Sequence, residues 1–83
     1  MYPEDSIANL NAANVAMQRQ DFKSAENFLA RAGDGPEAVY ARGICAALQG
    51  DYTEAAKYFR TAGTYGIKEA ENALEIISQL SER

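Results

Sequence analysis

A fifteen-residue pattern occurs twice in this chain of 83 residues, and it restricts the fold more than any other feature. Residues 19–33 read RQDFKSAENFLARAG and residues 49–63 read QGDYTEAAKYFRTAG, a spacing of 30 residues. Both copies contain an Asp, an aromatic residue after it, and a final Ala-Gly pair. Self-similarity at such a period is typical of repeat architectures, whose units stack because each has an apolar face that it cannot bury alone. Stacked helical repeats form extended surfaces that bind other proteins.

Composition excludes several classes of function. The net charge is −4 and the Lys and Arg residues are scattered, which argues against nucleic acid as a partner, because phosphate binding requires a clustered basic surface. No apolar run approaches the roughly 18 residues that span a bilayer, so no direct membrane insertion is predicted. Cys45 is interpreted as a core thiol, since a nucleophilic cysteine needs a His or a cationic neighbour and the chain has no His.

Apolar periodicity and helix-end residues predict an all-α chain with one domain over residues 1–83. The five predicted helices cover about 6–19, 22–32, 36–48, 52–62 and 67–80. Asp21 and Asp51 are predicted N-caps, Glu54 is expected to complete a capping box with Asp51, and Gly50 is expected to end the third helix in a left-handed conformation. Short connections of about two to four residues make consecutive helices antiparallel.

The repeated unit resembles the tetratricopeptide repeat family. The residues that carry the resemblance are Gly43, Gly50-Asp51-Tyr52, Ala55, Phe59 and Ala62 in the second unit, and Ala13, Asp21-Phe22, Ala25, Leu29 and Ala32 in the first. The resemblance implies a right-handed α-solenoid of two helix hairpins and a C-terminal capping helix. The spacing is shorter than the family's period of about 34 residues. Gln20 also stands where its counterpart is Gly50, and a left-handed conformation there costs a non-Gly residue about 1 kcal/mol.

The same resemblance implies that a peptide binds the concave face, which is formed by the first helix of each hairpin. The candidate peptide-binding residues are Leu10, Asn11, Asn14, Met17, Tyr40 and Ile44. The Asn amides offer both donors and acceptors to a peptide backbone, and the larger side chains offer apolar contacts. The cluster that binds terminal carboxylates in some family members is absent, because Leu10 and Ala41 replace two of its polar residues. Alternatively, the fifth helix or a neighbouring domain covers this face, and Met17 and Tyr40 belong to the core.

Two classes of function follow. The first is a non-catalytic module that binds a protein or peptide, with a homodimer as one possibility. The second is a spacer or docking domain of a larger protein, possibly one of the bacterial cell envelope, which leaves the localisation open between cytoplasm and periplasm. Ala8, Ala12 and Val15 are expected to face a preceding repeat, so we expect the chain to be part of a longer protein.

An enzyme is not predicted. Asp5, Asp21, Asp34 and Asp51 all stand at predicted helix starts, where capping accounts for them. The sequence has no phosphate-binding loop, no metal-ligand cluster and no Ser-His pair. No catalytic residue, metal site or cofactor is therefore predicted.

One side-chain contact between the repeats is predicted. Arg42 and Glu26 each replace a residue that is normally apolar, on surfaces that should face each other. Because the two charges are opposite, we expect a Glu26–Arg42 salt bridge.

Overall fold

The computed structural model describes residues 4–81, with side chains described for residues 7–80. Within that part the chain is an all-α helical-repeat solenoid of five helices: α1 (Glu4–Gln18), α2 (Phe22–Ala32), α3 (Pro36–Leu48), α4 (Tyr52–Thr64) and α5 (Lys68–Ser81). The bounds of α2 and α3 match the predicted ones, whereas α4 extends two residues further. No helix in this part has the length and apolarity to cross a membrane. The predicted cap at Asp5 lies outside the residues whose side chains are described.

The helices pack as two hairpins and one additional helix. α1 packs along α2, α3 packs along α4, and α5 packs on α4. The contacts of α3 with α2 and with α1 are smaller. The result is a thin, elongated shape of 39 × 27 × 14 Å between Cα atoms. Much of each helix therefore faces solvent, as is usual for a repeat architecture.

Three helix ends share one backbone geometry. After α1, α3 and α4, the residues with positive φ are Gln20 (62°), Gly50 (82°) and Gly66 (96°). At the first of these ends, the Asp21 N–H donates to the Ala16 carbonyl at 2.8 Å, which is the longer-range hydrogen bond of a Schellman motif. The left-handed conformation predicted for Gly50 is confirmed. Gln20 adopts it as well, although a Cβ makes it costly.

The predicted capping box at Asp51 forms only in part. The Asp51 carboxylate accepts a hydrogen bond from the Glu54 N–H at 3.3 Å, as expected. The reciprocal bond was predicted wrongly, because the Asp51 N–H already donates to the Ala46 carbonyl at 2.9 Å. The Glu54 carboxylate instead contacts Lys57 at 3.5 Å. The helix-ending motif and the capping box therefore compete for the Asp51 N–H, which donates to the helix-ending carbonyl.

Two apolar clusters form the core: the first joins α1 and α2 to α3, and the second joins α3 and α4 to α5. The first contains Ala13, Ala16, Met17, Ala25, Leu29, Ala41 and Cys45. The second contains Val39, Ala46, Ala55, Phe59, Ala62, Ala70 and Ile77. Most of these side chains are small, so the helices approach each other closely. A Cβ built on Gly43 would lie 2.7 Å from the Phe59 ring, which explains glycine in the middle of a helix.

The predicted Glu26–Arg42 salt bridge is wrong. The Arg42 guanidinium donates to the carbonyls of Leu29 at 3.1 Å and Gly33 at 2.9 Å, at the end of α2. It also contacts the Asp34 carboxylate at 3.2 Å. The last carbonyls of a helix have no partner within the helix, and the partly buried Arg42 side chain supplies donors to two carbonyls at this end. Glu26 remains exposed on the surface of α2.

Candidate functional site: a cavity between the first helices of the two hairpins

A cavity of about 630 Å³ opens on the surface formed by α1 and α3, which we call the α1–α3 face. Its lining residues come from the end of α1, the turn after it, the start of α2 and the second half of α3: Asn14, Met17, Gln18, Gln20, Phe22, Ile44 and Leu48. A volume of this size lies within the range of about 300–1,000 Å³ that is typical of ligand pockets. The cavity thus lies on the face that the resemblance assigns to peptide binding.

The structure brings only part of the predicted site together. Asn14, Met17 and Ile44 line the cavity, whereas Leu10, Asn11 and Tyr40 lie outside it. Asn11 and Asn14 are exposed, and Leu10, Tyr40 and Ile44 are half-buried. α5 packs on α4 and leaves Tyr40 and Ile44 partly accessible, so it does not cover this face.

Two of the predicted site residues stabilise the fold. Met17 is only 6% exposed and belongs to the first core cluster, so it reaches the cavity as part of its floor. The Tyr40 ring packs on the Phe59 ring, with centroids 5.5 Å apart and a tilt of 52°. Such tilted aromatic pairs are favourable by about 0.5–1.5 kcal/mol beyond the area that they bury. The alternative interpretation of these two side chains as core residues therefore agrees with their packing.

Sequence reasoning did not place Gln20 or Phe22 at the site. The resemblance directs attention to the first helix of each hairpin, and these two residues lie just beyond the end of α1. One feature of the sequence could have indicated Gln20 as a site residue: it is a non-Gly residue at the position that Gly50 occupies in the second unit. Leu48, at the end of α3, is 56% exposed and adds accessible apolar surface to the cavity.

The cavity is electrically neutral but can form hydrogen bonds. Among its described lining residues none is charged, and three are primary amides: Asn14, Gln18 and Gln20. All three are exposed, and their side chains make no hydrogen bond within the described part of the chain. Their donors and acceptors are therefore available to a bound molecule.

A second cavity, of about 420 Å³, lies between the hairpins on the side of α2 and α4. There Gln49 Nε2 donates to Glu26 Oε1 at 3.3 Å and lies 3.5 Å from Cys45 Sγ. Burial raises the pKa of the Cys45 thiol above its ordinary value of 9.0, and the negative charge of Glu26 adds to this effect. The thiol is neutral at physiological pH, in agreement with its interpretation as a core residue.

Comparison with known proteins identifies the family to which the chain is similar. A family model described as tetratricopeptide repeat matches residues 10–65, from within α1 to just beyond α4. Neither the comparison with curated proteins nor that with solved structures gives a match. The family match covers most of the first hairpin, all of the second and more than half of the chain, and the helix order and close-packed small residues agree with it. The chain belongs to the tetratricopeptide repeat family.

Proposed function

We propose that this chain is a non-catalytic interaction module that binds a peptide or a segment of a partner protein on the α1–α3 face. Tetratricopeptide repeats generally mediate protein–protein interactions, and the family is generally non-catalytic. The observation that carries the proposal is the cavity on this face, which combines unpaired amides with accessible apolar side chains and is not covered by α5.

The lining of the cavity supports both affinity and orientation. Leu48 and Ile44 offer apolar surface, and burial of such surface is favourable by about 25 cal/mol per Å². Amide side chains can orient an extended backbone by donating to its carbonyls and accepting from its N–H groups. Binding should depend only weakly on salt, because none of the described residues that line the cavity is charged.

Retention of partners on immobilised protein tests the proposal. The cavity variant carries Asn14→Ala and Leu48→Ala, and the matched variant carries Asn27→Ala and Val15→Ala. Each pair removes one amide and one aliphatic side chain, all four residues are exposed, and neither Asn27 nor Val15 lines the cavity. Both variants should unfold within about 0.5 kcal/mol of the parent, as is usual for surface substitutions.

The expected result is that proteins retained by the parent are also retained by the matched variant and are lost from the cavity variant. Equal retention by all three proteins would contradict the proposal. Photo-crosslinking from position 48, followed by mass spectrometry of the crosslinked peptide, then identifies the bound segment.

A docking domain of a larger protein is the second candidate, favoured by one observation. Val15 on α1 is 48% exposed and does not line the cavity, and Ala8, about two helical turns earlier on the same side of α1, is also exposed. The sequence predicts that these residues face a preceding repeat. Loss of retention from the matched variant alone would favour this candidate over the cavity.

A further inference from the structure

We propose that Gln20 is a ligand-binding residue of the cavity, and that the cavity takes an extended, uncharged peptide segment with one aliphatic side chain. This inference rests on the proposed function, because it specifies the ligand of the same site. Three independent features support it: a costly backbone conformation, a set of unpaired amides and a neutral apolar floor.

The first feature is the backbone at Gln20. Of the three helix ends that share the Schellman geometry, two have Gly at the position with positive φ, and only the end of α1 has a residue with a Cβ. The turn does not require this side chain, since Gly50 forms the same backbone hydrogen bonds. The side-chain amide of Gln20 also makes no hydrogen bond within the described residues. Within the described residues, no hydrogen bond of the Gln20 side chain offsets the conformational cost, and a cost of this kind points to function.

The second feature is the arrangement of amides around the opening. Asn14 and Gln18 lie about one helical turn apart on α1, so they project from the same side of the helix. Gln20 adds a third amide from the turn that follows, and all three line one cavity. An extended backbone presents alternating N–H and C=O groups, and primary amides can pair with both kinds. Gln20 is the last of the three amides along the chain. It therefore extends the row of possible hydrogen bonds to the backbone of the bound peptide beyond the end of α1.

The third feature is the floor of the cavity, formed by Met17, Phe22, Ile44 and Leu48. These side chains are apolar, and Met adapts its shape to a ligand more easily than a branched residue does. A charged side chain in this position would lose water and find no charged partner, which is unfavourable. An aliphatic side chain has no such desolvation penalty when it enters the cavity. The combination of a neutral floor with amides at the opening thus selects for the backbone plus one aliphatic side chain.

The test uses synthetic peptides as probes. Each is end-blocked and about seven residues long, an extended length of about 23 Å at about 3.3 Å per residue. The peptides consist of serine and alanine, with a central leucine, alanine, lysine or glutamate. Titration into isotope-labelled protein is followed by two-dimensional NMR, because the side-chain amide groups of Asn and Gln give their own signals. The leucine peptide should shift the signals of Asn14, Gln18 and Gln20, and the other three peptides should bind at least about fivefold more weakly.

Three variants separate recognition from stability. Gln20→Ala keeps the strained backbone and removes the amide, whereas Gln20→Gly removes both, and Asn27→Ala removes an exposed amide outside the cavity. Both Gln20 variants should bind the leucine peptide roughly three- to tenfold more weakly, as expected for the loss of one hydrogen bond, and Asn27→Ala should bind it as the parent does. Gln20→Gly should at the same time have a higher urea midpoint than the parent.

The possible outcomes distinguish this inference from the proposed function. Unchanged affinity in Gln20→Ala overturns the role of Gln20, and equal binding of the lysine and leucine peptides overturns the ligand class. A failure of the leucine peptide to bind at millimolar concentration overturns the inference as a whole. In each of these cases the retention experiment still decides the proposed function, because it depends on Asn14 and Leu48 and not on the chosen peptides.

Discussion

The close approach of Gly43 to Phe59 gives a prediction whose size follows from the structure. A Cβ at position 43 would lie 2.7 and 2.8 Å from two atoms of the Phe59 ring. That ring is 2% exposed and packs on Tyr40, so it has little room to move. Overpacking of this kind costs about 1–3 kcal/mol, whereas replacing a mid-helix Gly by Ala returns about 0.5–1 kcal/mol. Gly43→Ala should therefore lower the free energy of unfolding by about 0.5–2 kcal/mol.

The first hairpin provides the compensating change. There Ala13 and Leu29 occupy the positions of Gly43 and Phe59, and both are buried without overlap. Phe59→Leu alone should cost about 1 kcal/mol or more, because it leaves a cavity and removes the ring contact. In the double variant the smaller Leu leaves room for the new Cβ. Its destabilisation should be smaller than the sum of the single effects by about 1 kcal/mol, within the range for residues in contact.

Urea unfolding of the parent, both single variants and the double variant measures this coupling. Thermal melts give a second measure, since 1 kcal/mol corresponds to roughly 4–8 °C in a domain of this size. Strict additivity of the two changes, or a neutral Gly43→Ala, would show that the two helices do not approach as closely as the structure places them. The assignment of Gly43 as a close-contact residue would then be wrong.

Four further predictions concern single side chains. Gln20→Gly should raise the free energy of unfolding by about 1 kcal/mol by removing a left-handed non-Gly residue, and an unchanged urea midpoint would refute this. Arg42→Met should lower it by about 1–3 kcal/mol because two helix-end carbonyls lose their donors. Asp34→Ala should change the free energy of unfolding by less than about 0.5 kcal/mol, since that carboxylate is 95% exposed. Equal losses of stability in Arg42→Met and Asp34→Ala would contradict the reasoning. Burial raises the pKa of the Cys45 thiol, and the charge of Glu26 raises it further. Glu26→Gln should therefore increase the thiolate fraction and speed alkylation by iodoacetamide at neutral pH, and an unchanged rate would mean that burial alone protects the thiol.

Part of the candidate site was predictable and part was not. The family pattern placed Asn14, Met17 and Ile44 on the α1–α3 face, and the cavity includes all three. It did not indicate that the turn after α1 supplies Gln20 and Phe22. The lining of a cavity depends on where a turn projects relative to the neighbouring helix, and that geometry is set by the packing of the two hairpins.

Local signals in the sequence determined the helices and their pairing. Asp at the helix starts, Gly at the helix ends and the fixed spacing of small and large residues each act within a few positions along the chain. The bounds of α2 and α3 could be predicted for this reason. The buried partners Ala55 and Phe59 also followed from the repeat, because equivalent positions bury equivalent faces.

Only the tertiary structure decided which polar groups pair. Glu26 and Arg42 have opposite charges on facing helices, yet Arg42 binds the end of α2 and Glu26 accepts from Gln49. Glu54 likewise lost its predicted partner to a helix-ending hydrogen bond. The physical reason is competition among acceptors. A donor that can reach several acceptors binds a helix-end carbonyl without another partner in preference to a carboxylate that water already solvates. At the small and aromatic positions that the two units share, such as Ala55 and Phe59, no polar partners compete, so their burial follows from the repeat.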